Sequence, residues 1–203
     1  MKTVFVFPER CVGCKQCEIA CAVAHSQSKS LFGAIAEQPR PQPRIHVAPG
    51  IYLSTAFANK CRHCDPAPCM GVCPTGAIAR SGDTVLIDGD RCITCAMCAM
   101  VCPFDVIRYY EAAGVRRGKA VALKCDNCID RQQQGQIPAC VETCKTGALV
   151  FGDVNELARG ASARLARVIT AAVGDARAET VRPPANVQAW RDLSQATGQT
   201  GRE

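Results

Sequence analysis

The chain of 203 residues has few aromatic side chains and no long apolar run. Only 5% of the residues are Phe, Tyr or Trp, too few to fill the interior of a chain this long with large rings. A helical apolar pattern after residue 152 is interrupted by Arg159, Arg164 and Arg167, so we expect no membrane span. The N-terminal segment MKTVFVFPERC lacks both an apolar signal region and twin arginines. We therefore expect a cytoplasmic protein, with any membrane association supplied by a partner.

Patterns that carry catalysis are also missing. The sequence has three histidines, and it shows no Ser-His-Asp set, no phosphate-binding glycine loop and no carboxylate pair that stands out. His25 and His46 are isolated and carry no spacing signal. These absences argue against an enzyme, and we predict a non-catalytic chain.

Cysteine is what the sequence has in excess: sixteen residues form four groups of four, with none left over. Groups 1 and 3 follow the spacing C-x2-C-x2-C-x3-C, which is that of the [4Fe–4S] ligands in bacterial ferredoxins. Groups 2 and 4 widen one gap, to x4 and x11, and keep the final C-x3-C step. The sequence therefore predicts four [4Fe–4S] clusters and a role in electron transfer. The groups are group 1 (Cys11, Cys14, Cys17, Cys21), group 2 (Cys61, Cys64, Cys69, Cys73), group 3 (Cys92, Cys95, Cys98, Cys102) and group 4 (Cys125, Cys128, Cys140, Cys144).

Disulfides and zinc are the competing interpretations of these cysteines. Disulfides belong to oxidising compartments, which the N-terminal segment does not indicate, and neighbouring cysteines on one helical turn pair poorly. Structural zinc uses two C-x2-C pairs separated by a longer loop, whereas here three cysteines lie close together and a fourth follows four residues on. The spacing favours iron–sulfur clusters over both.

The cysteine groups have to be taken in pairs, because in two-cluster ferredoxins the fourth cysteine of one group ligates the other cluster. Groups 2 and 3 are adjacent and both end in Cys-Pro, so they form one unit, and groups 1 and 4 form a second, split unit around it. The predicted ligand sets are Cys11, Cys14, Cys17 and Cys144 for cluster 1; Cys61, Cys64, Cys69 and Cys102 for cluster 2; Cys92, Cys95, Cys98 and Cys73 for cluster 3; and Cys125, Cys128, Cys140 and Cys21 for cluster 4.

Internal repetition supports this duplication and predicts an α+β fold. Cys73-Pro-Thr-Gly-Ala-Ile78 matches Cys144-Lys-Thr-Gly-Ala-Leu149, a turn followed by an apolar strand. Further strands are predicted at residues 4–7, 84–88 and 120–124. We expect nested ferredoxin-like units of short two-stranded ribbons and helices around four cubane clusters, with a C-terminal helix and tail. The predicted bounds are 1–152 for the four-cluster domain (inner unit 58–110, outer unit 1–25 plus 115–152, insertion 26–57), 153–173 for the helix and 174–203 for a mobile tail. Within the insertion, Pro39, Pro41, Pro43 and Pro49 predict an extended segment.

The net charge of +6 is that of the chain without clusters. Sixteen thiolates and four oxidised cores of about +2 each would bring the charge to about −2, so it does not indicate nucleic-acid binding. A basic residue precedes every group: Arg10, Lys60, Arg91 and Lys124. Such a cation either raises the reduction potential of a cluster or is a solvated charge whose stem packs on the loop. His63, between Cys61 and Cys64, is expected to pack or hydrogen-bond beside the ligands.

The order and gaps of the four groups resemble the four-cluster electron-transfer subunits of the dimethyl-sulfoxide-reductase type, which include those of formate dehydrogenases and formate hydrogenlyase. The similarity covers residues 3–152. Residues 11–26 (CVGCKQCEIACAVAHS), the following SKSL and the proline-rich stretch resemble more narrowly the CooF-type subunit that serves CO dehydrogenase. The family's crossed ligand pattern matches the assignment above. Ala22 and Lys145 depart from it, because proline commonly follows the last cysteine of a group.

The resemblance implies a chain of redox centres between two partners. Electrons would come from a catalytic subunit (CO dehydrogenase, aldehyde oxidoreductase or formate dehydrogenase) and pass to a hydrogenase, a flavin subunit or a quinone-linked partner. The alternative class is a redox sensor or a cluster-assembly scaffold. A sensor needs an output segment, which is not apparent, and a scaffold does not need four fully liganded sites.

Overall fold

A computed structural model describes residues 2–51, 55–112, 115 and 118–178, with side chains at all of these except residues 172 and 174–178. Met1–Val154 and Asn155–Glu203 are two separate units. Within the described part of the first unit, all regular structure is short strands and short helices, so the α+β prediction is confirmed. The helices are a 3-10 turn Pro8–Arg10, α1 Gln16–Ala24, α2 Leu31–Ala36, α3 Pro68–Gly71, α4 Met97–Met100, α5 Ile129–Gln133 and α6 Ala139–Glu142.

The strands pair into four antiparallel ribbons of two strands each. Three ribbons join strands close in sequence, and the fourth joins the first strand to the last, with Val4 opposite Phe151. That pairing brings the segment before group 1 beside the segment after group 4. The strands are β1 Lys2–Val6, β2 His46–Pro49, β3 Ala56–Asn59, β4 Ile78–Ser81, β5 Thr84–Ile87, β6 Arg108–Glu111, β7 Ala120–Leu123 and β8 Leu149–Asp153, paired as β1–β8, β2–β3, β4–β5 and β6–β7.

Each cysteine group places at least one of its cysteines in a short helix, and these helices pack in the same pairs as the groups. Helix α1 of group 1 packs on α6 of group 4, and α3 of group 2 packs on α4 of group 3. In groups 1 and 3 the chain turns into its helix through a left-handed residue directly after the second cysteine, Lys15 (φ 57°) and Ala96 (φ 63°). A non-glycine residue adopts this conformation at a cost, so its recurrence indicates that the loop shape is imposed by its surroundings.

Two separate cores hold the first unit together, and both contain cysteine among small aliphatic residues. The inner core joins buried Val85, Val106 and Val121 to cysteines of groups 2, 3 and 4. The outer core joins Val4 and Leu149, from the β1–β8 ribbon, to cysteines of groups 1 and 4. The interior is therefore built around the cysteine groups.

The insertion between groups 1 and 2 contains regular structure beside its proline-rich segment. Helix α2 and the β2–β3 ribbon flank residues 37–45, which include Pro39, Pro41 and Pro43 and form neither helix nor strand. Ser30 caps α2 by accepting a hydrogen bond from the Gly33 N–H at 3.1 Å. Ile45, Ala56 and Ala58 are buried in the outer core, so the insertion is part of that core.

The C-terminal helix, α7, runs from Val154 to Ala178. Its end differs from the prediction, because residues 174–178 continue the helix where the mobile tail is expected to begin. The rest of the predicted tail, residues 179–203, lies outside the described residues. Among the helices that the structure describes, none combines the length and the apolar character needed to cross a bilayer.

Candidate iron–sulfur centres

Cysteines of groups 2 and 3 line two cavities of the inner core, each with a contribution from the other group. One cavity is lined by Cys102 of group 3 together with three cysteines of group 2: Cys61, Cys64 and Cys69. The other is lined by Cys73 of group 2 together with three cysteines of group 3: Cys92, Cys95 and Cys98. This exchange of the fourth cysteine is what the crossed ligand assignment requires.

Cysteines of groups 1 and 4 come together in the outer core. Burial raises the pKa of the Cys21 and Cys140 thiols far above the ordinary value, and the charges of Cys125 and Cys128 raise both further. Cys21 of group 1 is therefore a neighbour of three cysteines of group 4. Burial also raises the pKa of Cys17 to about 11, with added effects from Glu18 and then Cys11 and Cys14.

The turn after Cys73 and the turn after Cys144 place the same kinds of hydrogen-bond donor beside the cysteine sulfur. In each, the Sγ atom lies 3.7 Å from a threonine hydroxyl, that of Thr75 or Thr146. Burial raises the pKa of each thiol, but hydrogen bonds from that hydroxyl and from backbone N–H groups outweigh burial, and both pKa values lie below the ordinary one. Cys73 is followed by Pro74 and Cys144 by Lys145, and both turns make these contacts.

The donor set fits [4Fe–4S] clusters. All sixteen cysteines are free thiols. Backbone N–H groups of His63 and Asn127 donate to Cys61 and Cys125 Sγ, both at 3.4 Å. Several thiols are buried with raised pKa values, and coordination of iron would deprotonate them outright. Buried thiols grouped in fours with N–H donors to sulfur are what such a cluster needs.

His63 lines the cavity of Cys61, Cys64, Cys69 and Cys102 and is 2% exposed. Burial is the main cause that lowers its pKa to about 3, so the ring is neutral. Its Nδ1 accepts the Val85 N–H at 3.1 Å, so the proton is on Nε2, which has no partner among the described residues. A cluster sulfur in this cavity would satisfy that donor.

The second cysteine of each group differs in its exposure to solvent from group to group. The second cysteines of groups 1 and 3, Cys14 and Cys95, are exposed, whereas Cys128 of group 4 is buried and Cys64 of group 2 is half-buried. Apolar side chains at the surface accompany both exposed thiols, with Val12 and Ile19 near Cys14 in the chain and Ile93, Met97 and Met100 near Cys95. Clusters bound by groups 1 and 3 would thus lie nearest to solvent.

A triad of His25, Asp126 and Arg44 beside group 4 was not predicted from the sequence. His25 Nδ1 donates to the Cys21 carbonyl at 2.7 Å, and Nε2 donates to the Asp126 carboxylate at 3.1 Å. Arg44 pairs with the same carboxylate, and its backbone N–H donates to Cys21 Sγ at 3.3 Å. The sequence carries no signal for it, because His25 and Asp126 are 101 residues apart.

Replacement of Asp126 by asparagine should destabilise the protein, because it removes the carboxylate that pairs with Arg44 and contacts His25. The Asp126 side chain is only 14% exposed, and breaking a buried ion pair costs about 3–5 kcal/mol. The matched control is Asp65→Asn, whose carboxylate is 83% exposed and 3.7 Å from Arg80, where about 0–1 kcal/mol is expected. Anaerobic guanidinium unfolding of both iron-loaded variants measures the difference. Equal unfolding midpoints would show that the triad is not a stabilising element.

Ribbons and short helices around grouped cysteines define an iron–sulfur protein of the ferredoxin type. Residues 53–154 match the 4Fe-4S dicluster domain family. The chain is 41% identical to the electron transport protein HydN of Escherichia coli over 73% of its own length and 86% of that protein. It is 39% identical to an iron-sulfur protein of Rhodospirillum rubrum (75% and 82% covered) and 32% identical to a subunit of the tetrathionate reductase of Salmonella typhimurium (72% and 56% covered). The chain belongs to the 4Fe-4S dicluster family.

The family and the named relatives confirm the prediction of a non-catalytic iron–sulfur protein that transfers electrons. The number of clusters, their ligand pairing, the domain bounds, the cytoplasmic location and the CooF-type assignment stay predictions.

Proposed function

We propose that the protein is an electron-transfer subunit that holds four [4Fe–4S] clusters in a row, in the order 3, 2, 4, 1. The observation that carries this proposal is the exchange of cysteines between groups, with an exposed thiol at each end of the row. When bound, the clusters supply one-electron redox chemistry. The protein supplies the thiols, the N–H donors and the burial that hold them in order.

Electrostatic neighbours support that order. Burial raises the pKa of Cys69, and the charges of Cys61 and Cys102 add to it, followed by that of Cys98, which is assigned to cluster 3. Burial likewise raises the pKa of Cys125, which also senses the charge of Cys61, assigned to cluster 2. Clusters 3 and 2 are thus neighbours, and so are clusters 2 and 4. Clusters 4 and 1 share the outer core and helices α1 and α6.

The exposed ends of the row are the proposed points of entry and exit for electrons. The partners are a catalytic subunit (CO dehydrogenase, aldehyde oxidoreductase or formate dehydrogenase) and an acceptor (hydrogenase, flavin or quinone-linked subunit). The resemblance of residues 11–26 to the CooF-type subunit favours CO dehydrogenase among these. Anaerobic isolation from the native host and identification of the co-eluting subunit test this choice.

Anaerobically reconstituted protein should contain about sixteen iron and sixteen acid-labile sulfide per chain, four of each per cluster. Metal and sulfide analysis together with the visible charge-transfer bands gives the count. The control is a sample reconstituted with zinc in place of iron, which should show neither the bands nor the sulfide. About eight iron at full occupancy, or preferential zinc binding, would exclude the four-cluster proposal.

A further inference from the structure

Two of the four basic residues that precede the cysteine groups are buried, and the other two are exposed. Lys60, before group 2, is 1% exposed, and Lys124, before group 4, is 4% exposed. Arg10 and Arg91, before groups 1 and 3, reach across the surface to backbone oxygens of the partner group's turn, those of Gly147 and Thr75. The residue directly before a group is thus a surface cation at clusters 1 and 3, the ends of the row, and a buried cation at clusters 2 and 4, its centre.

Lys60 and Lys124 have closely similar surroundings. Each ammonium folds back to the carbonyl of the next residue, Cys61 at 3.0 Å and Cys125 at 3.2 Å. Each also donates to an oxygen of a strand, Thr3 Oγ1 at 3.1 Å for Lys60 and the Val85 carbonyl for Lys124. These acceptors are all neutral, and burial of an ammonium among neutral groups is costly without a compensating negative charge.

Cysteines of the other cluster, as thiolates when iron is bound, would supply the compensating charge. Lys124 lines the cavity of Cys61, Cys64, Cys69 and Cys102, although by chain it belongs to group 4. Lys60 belongs by chain to group 2, but its ammonium donates to Thr3 of β1, the strand whose Lys2 carbonyl accepts a hydrogen bond at 3.3 Å from Asn127 of the group 4 loop. Burial lowers the pKa of Lys60, and the charges of Cys125 and Cys140 oppose that shift. The two lysines therefore cross over at the junction of clusters 2 and 4.

We propose that Lys60 and Lys124 form a reciprocal pair of internal cations, each carried by the loop of one central cluster and placed against the other, that raises the reduction potentials of clusters 2 and 4. Reduction adds a negative charge, and a fixed positive charge in a buried, weakly screened place favours it. Electrons would then reside at the centre of the row. This inference rests on the proposed function. The two lysines act on the clusters through their charge and contact no substrate.

The test is a potentiometric titration of the iron-loaded full chain, monitored by electron paramagnetic resonance, for Lys60→Met and Lys124→Met. Methionine keeps the apolar stem and removes the charge. At the wild-type midpoint of an affected cluster, we expect the oxidised-to-reduced ratio to rise about tenfold, which equals about 59 mV for a one-electron couple. The matched control is Arg91→Met, a cation at the same position but at the surface, where screening should keep the change below about twofold.

Each outcome decides the proposal. Midpoints in both lysine variants that move no more than in Arg91→Met would overturn it. If Lys60→Met fails to bind iron, Lys124→Met alone carries the test, and failure of both to load would make the pair structural and contradict a tuning role. Wild-type protein with fewer than four clusters would instead remove the proposed function. Wild-type protein with four clusters and unshifted variants would remove this inference alone.

Discussion

Removal of iron should abolish the cooperative thermal unfolding of residues 2–154. In the described part of the chain, four of the eleven buried residues of the inner core and three of the nine of the outer core are cysteines, and none of these twenty residues is aromatic. The surrounding helices have four to nine residues and the ribbons two strands, elements that are marginal on their own. The free energy of unfolding of a whole domain is about 5–15 kcal/mol. Binding of one structural metal supplies roughly 10 kcal/mol, so loss of iron would remove a comparable free energy.

Differential scanning calorimetry and near-ultraviolet circular dichroism of protein stripped with a chelator, under reductant and without oxygen, measure this loss. Reconstitution of the same sample with iron and sulfide is the control, and it should restore the transition. A stripped sample that still melts sharply, within a few degrees of the loaded protein, would mean that the aliphatic residues of the two cores suffice for folding.

Spacing and repetition carried most of the fold prediction. The repeated Thr-Gly-Ala turn predicts strands at β4 and β8, and apolar patterns predict those at β5 and β7; the structure contains all four. Group 1 and group 4 are more than a hundred residues apart, yet their pairing could be predicted because a ferredoxin unit needs two groups. Local chemistry and the demand for complete ligand sets were enough for these elements.

Features that depend on long-range packing were beyond the sequence. The prolines of the insertion predict an extended segment, but nothing local predicts that Ile45, Val47 and Ala56 beside it supply the outer core with aliphatic surface. His25 and Asp126 are 101 residues apart, so their pairing gives no local pattern. Lys60 and Arg91 occupy equivalent positions in sequence, and only burial separates an internal cation from a surface one.

Paired cysteine substitutions should distinguish crossed from uncrossed ligation. Crossing assigns Cys69 and Cys73 to different clusters although they are four residues apart, and it assigns Cys73 and Cys98 to the same one. The cavities agree, since Cys73 lines one with Cys98 while Cys69 lines the other. Each single replacement by alanine should remove about four iron, one cluster. Cys73→Ala combined with Cys98→Ala should remove no more than either alone, whereas Cys69→Ala combined with Cys73→Ala should remove about eight.

The uncrossed arrangement predicts the reverse, with about four iron lost from the Cys69/Cys73 double variant and about eight from Cys73/Cys98. Independent sites give additive losses and a shared site does not, so the comparison needs no knowledge of the absolute stability of any variant. Cys21→Ala with Cys140→Ala, against Cys21→Ala with Cys17→Ala, repeats the test in the outer unit. Additive loss in the Cys73/Cys98 and Cys21/Cys140 pairs would contradict the nested arrangement and, with it, the order of clusters in the row.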